Sequence, residues 1–142
     1  MAIKKNILKK GQISTEYIIV VSFIMFLIIS TLGIAFFYAD NISDRIKMDQ
    51  VENYARKVIS SSERIYYAGE PSKTTLNAFL PSGVKSIEVI DNSLIFDIST
   101  STGANKISFT ANVILDGNLS ITEGTKRISL TAESNKVKIS EF

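Results

Sequence analysis

The sequence lacks two side chains on which much protein chemistry depends. It contains no cysteine and no histidine. The missing cysteine excludes disulfides, thiolate nucleophiles and sulfur-ligated metals, and the missing histidine removes the commonest general base and transition-metal ligand. The sequence also has no EF-hand loop, glycine-rich phosphate loop or nucleophile elbow. We therefore expect no enzyme, and we predict no catalytic, cofactor-binding or metal-binding residues.

Charge is missing from one long stretch of the chain. From Tyr17 to Ala39 there is no charged residue, and Ile, Val, Leu and Phe dominate. A helix of this length reaches about 34 Å at roughly 1.5 Å per residue, which covers a bilayer core of roughly 30 Å. A secretory signal peptide fits less well, because its apolar region is shorter and is followed by a small-residue cleavage site. The stretch is therefore predicted to span a membrane.

Basic residues are concentrated in front of this apolar run. Residues 1–11 contain four lysines and no acid, and without them the chain has 12 basic and 14 acidic side chains. The net charge of +2 therefore belongs to this leading piece, and no folded basic face supports nucleic-acid binding. The positive-inside rule places the lysines on the cytoplasmic side of a membrane.

A specific pattern joins the lysines to the apolar run. Residues 10–17 read KGQISTEY, which resembles the Q-x-S-x-E pattern of archaeal class III signal peptides in type IV prepilin-like proteins. The resemblance implies that a membrane prepilin peptidase cuts between Gly11 and Gln12 on the cytoplasmic side. Residues 1–11 would be the leader, and the apolar helix would stay on the mature protein. The recognition motif so identified consists of Lys10, Gly11, Gln12, Ser14 and Glu16.

Glu16 is an acid directly before the apolar stretch of the helix, and two explanations account for its position. An acid near a helix N-terminus interacts favourably with the helix dipole, by about 0.3–1 kcal/mol. Alternatively, ionisable groups at membrane helices find partners. Glu16 of one subunit would then meet the Gln12 amine of a neighbour and set the axial register of a helix bundle. We favour the second explanation because the whole motif is present.

The helical pattern continues beyond the apolar run. Apolar residues recur at three- to four-residue spacing with charged residues between them, at Ile42, Ile46, Val51, Tyr54, Val58 and Ile65. Gly69 and Pro71 then supply a stop signal. We predict one helix from about Gln12 to about Ala68, with a transmembrane or filament-core part at 12–39 and an amphipathic continuation at 40–70.

The period changes to two in the C-terminal part, which predicts strands. Residues 72–83 are predicted to be a loop, and residues 91–93 a hairpin turn. A long strand is expected from Ile107 to Leu115, and a further strand at Leu119 and Ile121. Residues 71–142 would thus form an antiparallel meander of about six strands.

The apolar face of that meander needs a cover, and the amphipathic half of the helix is the available one. The predicted fold class is therefore α+β, with a long N-terminal helix packed on a small antiparallel β-domain. This is also the shape of type IV pilins.

Two N-x-S/T sequences occur, at Asn41 and Asn118. Asn41 directly follows the apolar run, whereas Asn118 lies beside a predicted exposed turn. Only Asn118 is therefore considered a possible N-glycosylation site.

The resemblance implies a structural subunit of an archaeal type IV pilus-like filament, used for surface attachment. Its partners would be the prepilin peptidase, a pilus assembly ATPase with its membrane platform, and copies of itself in a helical homopolymer. The precursor would lie in the cytoplasmic membrane with the leader inside and the β-domain outside, and the mature protein in an extracellular filament. The alternative is a membrane-anchored surface binding module or minor pilin-like component that does not form the filament.

Overall fold

The computed structural model describes the backbone of residues 3–142 and the side chains of residues 14–142. One long helix, α1 (Ile3–Ala68), is followed by seven strands. The strands are β1 (Lys73–Leu80), β2 (Val84–Ile90), β3 (Ser93–Thr100), β4 (Gly103–Thr110), β5 (Leu115–Gly117), β6 (Gly124–Glu133) and β7 (Lys136–Glu141). The predicted α+β class is confirmed, since a long N-terminal helix packs on antiparallel sheets.

The end of α1 lies where the sequence predicts it. The helix ends at Ala68, and Gly69 follows with a φ of 82°, the left-handed conformation that glycine commonly supplies after a helix. The Gly69 amide donates to the Tyr66 carbonyl at 3.1 Å. At its other end, α1 begins at Ile3, before the start expected at Gln12. The predicted start is therefore wrong for this chain, because the lysines and leucine before Gln12 favour a helix.

The strands form two sheets instead of one meander. One sheet has the order β1-β6-β7-β5 and the other the order β2-β3-β4. All pairs are antiparallel except β5 with β7, which run parallel. The single six-stranded meander is therefore wrong in detail, because β1 pairs over its whole length with the distant β6, from Lys73 opposite Thr131 to Leu80 opposite Gly124.

Three local predictions are corrected. The loop expected at 72–83 contains β1, whose burial alternates so that Leu76, Ala78 and Leu80 enter the core. The long strand expected from Ile107 to Leu115 is interrupted after Thr110. The Ala111 amide still donates to the Asn92 carbonyl at 2.7 Å, in the register of the β3–β4 pair. The Leu115 amide, however, donates to the Asp91 carbonyl, also at 2.7 Å, so residues 112–114 leave the ladder. The structure has no strand at 119–121.

The chain divides into two compact units, Met1–Asn41 and Ile42–Phe142. The second unit has its own core, in which Val51, Tyr54, Val58 and Ile65 of α1 are buried, as the amphipathic pattern predicts. The Tyr54 ring meets Phe96 of β3 edge-on, with the ring centroids 6.0 Å apart.

Two residues of the predicted apolar helix face are not part of this core. Ile42 and Ile46 are 56% and 50% exposed. The buried face of α1 therefore begins at Val51, about two and a half turns later than the sequence pattern suggests.

Candidate functional site

The apolar part of α1 exposes a continuous series of large apolar side chains. From Ser14 to Asp40 the side chains are exposed, apart from a half-buried Ser30. The large side chains at both ends, Tyr17 and Tyr38, are 71% and 61% exposed. Folded proteins rarely expose a continuous apolar surface of this extent to water, and such a surface marks a contact with a membrane or with another protein. The helix is long and apolar enough to cross a membrane, with a mean hydropathy of 2.8 over its most apolar window, and is compatible with membrane anchoring.

Two hydroxyls within this apolar part are satisfied inside the helix. The Ser30 hydroxyl donates to the Phe26 carbonyl, and the Thr31 hydroxyl donates to the Leu27 carbonyl, both at 2.8 Å. Such bonds to the preceding turn allow serine and threonine to lie in an apolar environment without an external partner. Gly33 lies two residues further on, inside the continuous helix.

The predicted recognition motif is only partly described. Ser14 and Glu16 lie on α1 with exposed side chains, whereas the side chains of Lys10, Gly11 and Gln12 lie outside the described residues. The cleavage between Gly11 and Gln12 and the pairing of Gln12 with Glu16 of another subunit therefore stay predictions.

Two carboxylates of α1 hold loops of the β-domain. Asp44 accepts hydrogen bonds from the Ser101 amide at 2.8 Å and the Ser101 hydroxyl at 2.5 Å. Glu63 accepts from the Asn112 amide at 2.9 Å and from the Asn112 side-chain nitrogen at 2.8 Å. These residues are about 28 Å apart along the helix, so they fasten two widely separated loops to α1 in the same way.

The Asp44 contact has an electrostatic consequence. The hydroxyl and amide of Ser101, with a smaller contribution from Lys47, lower the pKa of the Asp44 carboxyl. The Lys47 ammonium lies 3.8 Å from that carboxylate. Hydrogen bonds to the ionised form stabilise it, so the contact is strongest while Asp44 is charged.

A third contact joins α1 to the first strand. The Lys57 ammonium donates to the Asn77 carbonyl of β1 at 2.6 Å. Since β1 is the outermost strand of its sheet, this lysine occupies a carbonyl that would otherwise be free for another strand. Sequence reasoning missed Asp44, Lys57 and Glu63, because their partners are distant in sequence and no local pattern marks them.

An enclosed ion pair fixes the segment that contains the Asn118 sequon. Lys126 and Glu141 lie 2.8 Å apart with side chains only 12% and 15% exposed. Glu141 also accepts from the Ser120 amide at 2.8 Å, and Lys126 donates to the Ser120 hydroxyl at 3.2 Å. Asn118 itself is exposed directly after β5, so the asparagine is accessible although the serine of its sequon is held in place.

The other sequon has a different setting. Asn41 lies within α1, and its side-chain nitrogen donates to the Phe37 carbonyl at 3.1 Å. Its amide is therefore already bonded to the helix.

Among residues 14–142, no three His, Cys, Asp or Glu side chains lie close enough to hold a metal ion. The chain matches no protein-family model, no curated protein and no solved structure. Any functional assignment therefore depends on the motif and on the geometry of the two units.

Proposed function

We propose that this chain is the structural subunit of an archaeal type IV pilus-like filament, made as a prepilin and processed by a prepilin peptidase. The proposal rests on one observation, namely that two features occur together. The Q-x-S-x-E motif directly precedes a helical segment whose apolar side chains from Tyr17 to Tyr38 are exposed. Such a segment can lie first in the membrane and later against copies of itself.

The C-terminal unit of the fold supports the same proposal. Ile42–Phe142 has its own buried core, so the apolar segment is not required to complete that core and is free for lipid or for other helices. Identical subunits that repeat through a heterologous, non-closing contact form a helical fibre. In such a fibre the apolar segments would form the centre and the β-domains the outside, where they would attach to surfaces.

The partners proposed with this function are the peptidase, an assembly ATPase with its membrane platform, and further copies of the chain. Co-expression with an archaeal prepilin peptidase should give a mature protein that begins at Gln12, as measured by mass spectrometry. Replacing Gly11 with phenylalanine should slow cleavage, because a bulky side chain hinders access to the scissile bond. A mature chain that begins at Met1, or after Ala39, would contradict the proposal.

The alternative is an anchored surface module or minor component that is cleaved but does not polymerise. Shearing of cells separates the two. A filament subunit should be recovered in high-molecular-weight fibres, whereas an anchored module should stay with the membrane fraction.

A further inference from the structure

The outer face of the four-stranded sheet has an unusual composition. Along β6, Ile128 and Leu130 are buried in the core, so Ser129 between them points to the opposite face. Ser129 lies opposite Thr75 of β1 and Ser140 of β7. A row of three hydroxyls therefore crosses three neighbouring strands.

Cations lie on both sides of this hydroxyl row. Arg127 lies two residues before Ser129 on the same face, opposite Asn77 of β1. On the other side of the row, Thr131 is flanked by Lys73 of β1 and Lys138 of β7. These two rows and the hydroxyl row contain no Asp or Glu side chain.

Two of these cations are not neutralised within the fold. Among residues 14–142, no hydrogen bond or ion pair involves the Lys73 or Arg127 side chain. Lys138 is less available. Its charge, after the larger effect of Lys136, helps to lower the pKa of the Asp116 carboxyl. Lys73 and Arg127 are therefore the cations that an external anion would meet.

The same face contains a cavity, and one of its lining residues has an unsatisfied hydroxyl. A cavity of about 290 Å³ is lined by Lys73, Thr75, Arg127, Ser129 and Phe142. Ser129 is only 3% exposed, and its hydroxyl has no hydrogen-bond partner. A buried hydroxyl without a partner is unfavourable, so a ligand that hydrogen-bonds to it gains that interaction.

One wall of the cavity is apolar. The Phe142 ring is 79% exposed, and the Phe142 amide donates to the Arg127 carbonyl at 3.0 Å, which keeps the aromatic residue beside the arginine. A ligand in this cavity would thus meet cations, hydroxyls and the face of a ring.

We propose that this cavity on the outer face of the four-stranded sheet binds an anionic sugar unit, such as a hexose with a carboxylate or a sulfate. The anionic substituent is held by Lys73 and the planar fork of Arg127, which suits carboxylate and sulfate geometry. Sugar hydroxyls bond to Thr75 and Ser129, and the C–H face of the sugar packs on Phe142. This inference rests on the proposed function only for its biological setting, an extracellular surface coated with acidic polysaccharide.

The test uses the full chain in a polyoxyethylene detergent, because sugar-based detergents would compete. Binding of dextran sulfate, polygalacturonate and neutral dextran is measured by calorimetry at low and at moderate salt. The double variant Lys73→Gln/Arg127→Gln should lose about tenfold or more in affinity for both acidic polymers. The control Arg64→Gln/Lys85→Gln removes the same charge from exposed sites without ion pairs, and should change affinity less than about twofold.

Ser129→Ala distinguishes binding in the cavity from general electrostatic attraction of the polymers. It should weaken binding several-fold and leave the melting temperature unchanged or slightly raised, because it removes an unpartnered buried hydroxyl. Equal losses in the two double variants, or equal binding of neutral dextran, would overturn the proposal. So would displacement of the polymers by millimolar inorganic sulfate, or equally tight binding of duplex DNA. Fibre formation does not enter these measurements, so failure of the sugar site and failure of the filament proposal are distinguishable.

Discussion

At the scale of single residues, the helix carboxylates Asp44 and Glu63 organise the loops around them. Each accepts one backbone and one side-chain hydrogen bond from the same loop residue, Ser101 or Asn112. Such paired acceptance fixes both the position and the orientation of the loop, which a single bond would not do. Tyr54 shows the opposite situation, because its buried hydroxyl has no partner and burial raises its pKa.

Replacement of Asp44 tests this arrangement through pH. The folded-state pKa of Asp44 is lowered from its ordinary value of 3.8, so its contribution to stability is complete above that pH and is lost as pH falls through the lower folded value. Asp44→Asn should therefore reduce the melting temperature by a few degrees at pH 7, and its difference from the wild type should shrink as the pH falls below 3.8. Thermal melts from pH 7 to pH 2 measure the difference.

The matched control for that experiment is Asp49→Asn. Asp49 is exposed on the same helix, and no hydrogen bond or ion pair involves its side chain within the described part of the chain. Its replacement should leave the melting temperature nearly constant at every pH. Equal pH profiles for the two variants would remove the stabilising role assigned to the Asp44 contact.

At the scale of elements, local patterns predict α1 and the β2–β3 hairpin well. Their signals lie within the element, namely the apolar spacing of Val51, Tyr54 and Val58 and the turn residues Asp91 and Asn92, and both predictions are confirmed. The strand β1 was missed because proline and glycine on both sides of it indicate a loop. Its partner β6 is far along the chain, so pairing, which decides the outcome, is not visible locally.

The candidate sites also differ in whether local sequence can reveal them. The Q-x-S-x-E motif and the apolar run are contiguous in sequence and could be recognised there. The cavity around Ser129 could not, because it needs the registers of β1, β6 and β7 together. Ser129 was indistinguishable from any other serine until its two flanking strands were known.

A prediction at this scale concerns the parallel contact of β5 with β7. Gly117 has a φ of 143°, and an added Cβ would overlap the Ile139 carbonyl oxygen of β7. Gly117→Ala should reduce the free energy of unfolding by about 2–4 kcal/mol, since backbone strain and a rigid steric overlap act together. Urea unfolding of the full chain in detergent, followed by near-ultraviolet circular dichroism, measures this.

Gly103 provides the comparison, because its φ of 130° is similar and an added Cβ there would meet nothing within 4 Å. Gly103→Ala should therefore reduce the free energy of unfolding through backbone strain alone, by about 1 kcal/mol. If the two variants unfold at the same urea concentration, the close approach of β5 to β7 does not constrain Gly117.

At the scale of the molecule, the unit Ile42–Phe142 contains all the residues of its own core. A chain of about 100 residues is a normal size for one cooperative domain. We expect residues 42–142 to fold alone, with a single thermal transition and a free energy of unfolding of about 5–15 kcal/mol. Circular dichroism and calorimetry of the fragment give both quantities.

The control fragment, residues 69–142, lacks α1 and with it the buried Val51, Tyr54 and Val58. It should aggregate or melt without a cooperative transition, because the apolar faces of its sheets are then uncovered. A cooperative 69–142 fragment, or an aggregated 42–142 fragment, would show that helix and sheets do not depend on each other as described.

The last prediction separates a polymer from an anchor, and it concerns Glu16. If Glu16 pairs with the Gln12 amine of a neighbouring subunit, Glu16→Ala should still insert into membranes, because removal of a charge favours insertion. Fibre yield should nevertheless fall by about tenfold or more, since the amine is left unpaired in a low-dielectric helix bundle. Glu16→Gln keeps the shape and some hydrogen bonding but removes the charge, so its yield should be intermediate.

Cleavage must be measured before assembly in these variants, because Glu16 also belongs to the proposed peptidase recognition motif. The informative comparison is between processed Glu16→Ala subunits and processed wild-type subunits, scored by the mass of sheared fibres per cell. A low yield from fully processed subunits would assign Glu16 to subunit register, since processing and insertion would both be intact. An equal yield would show that Glu16 does not pair with the Gln12 amine of a neighbour. Its role would then be the interaction with the helix dipole alone. The anchored-module alternative would gain support if wild-type subunits, too, stayed in the membrane fraction.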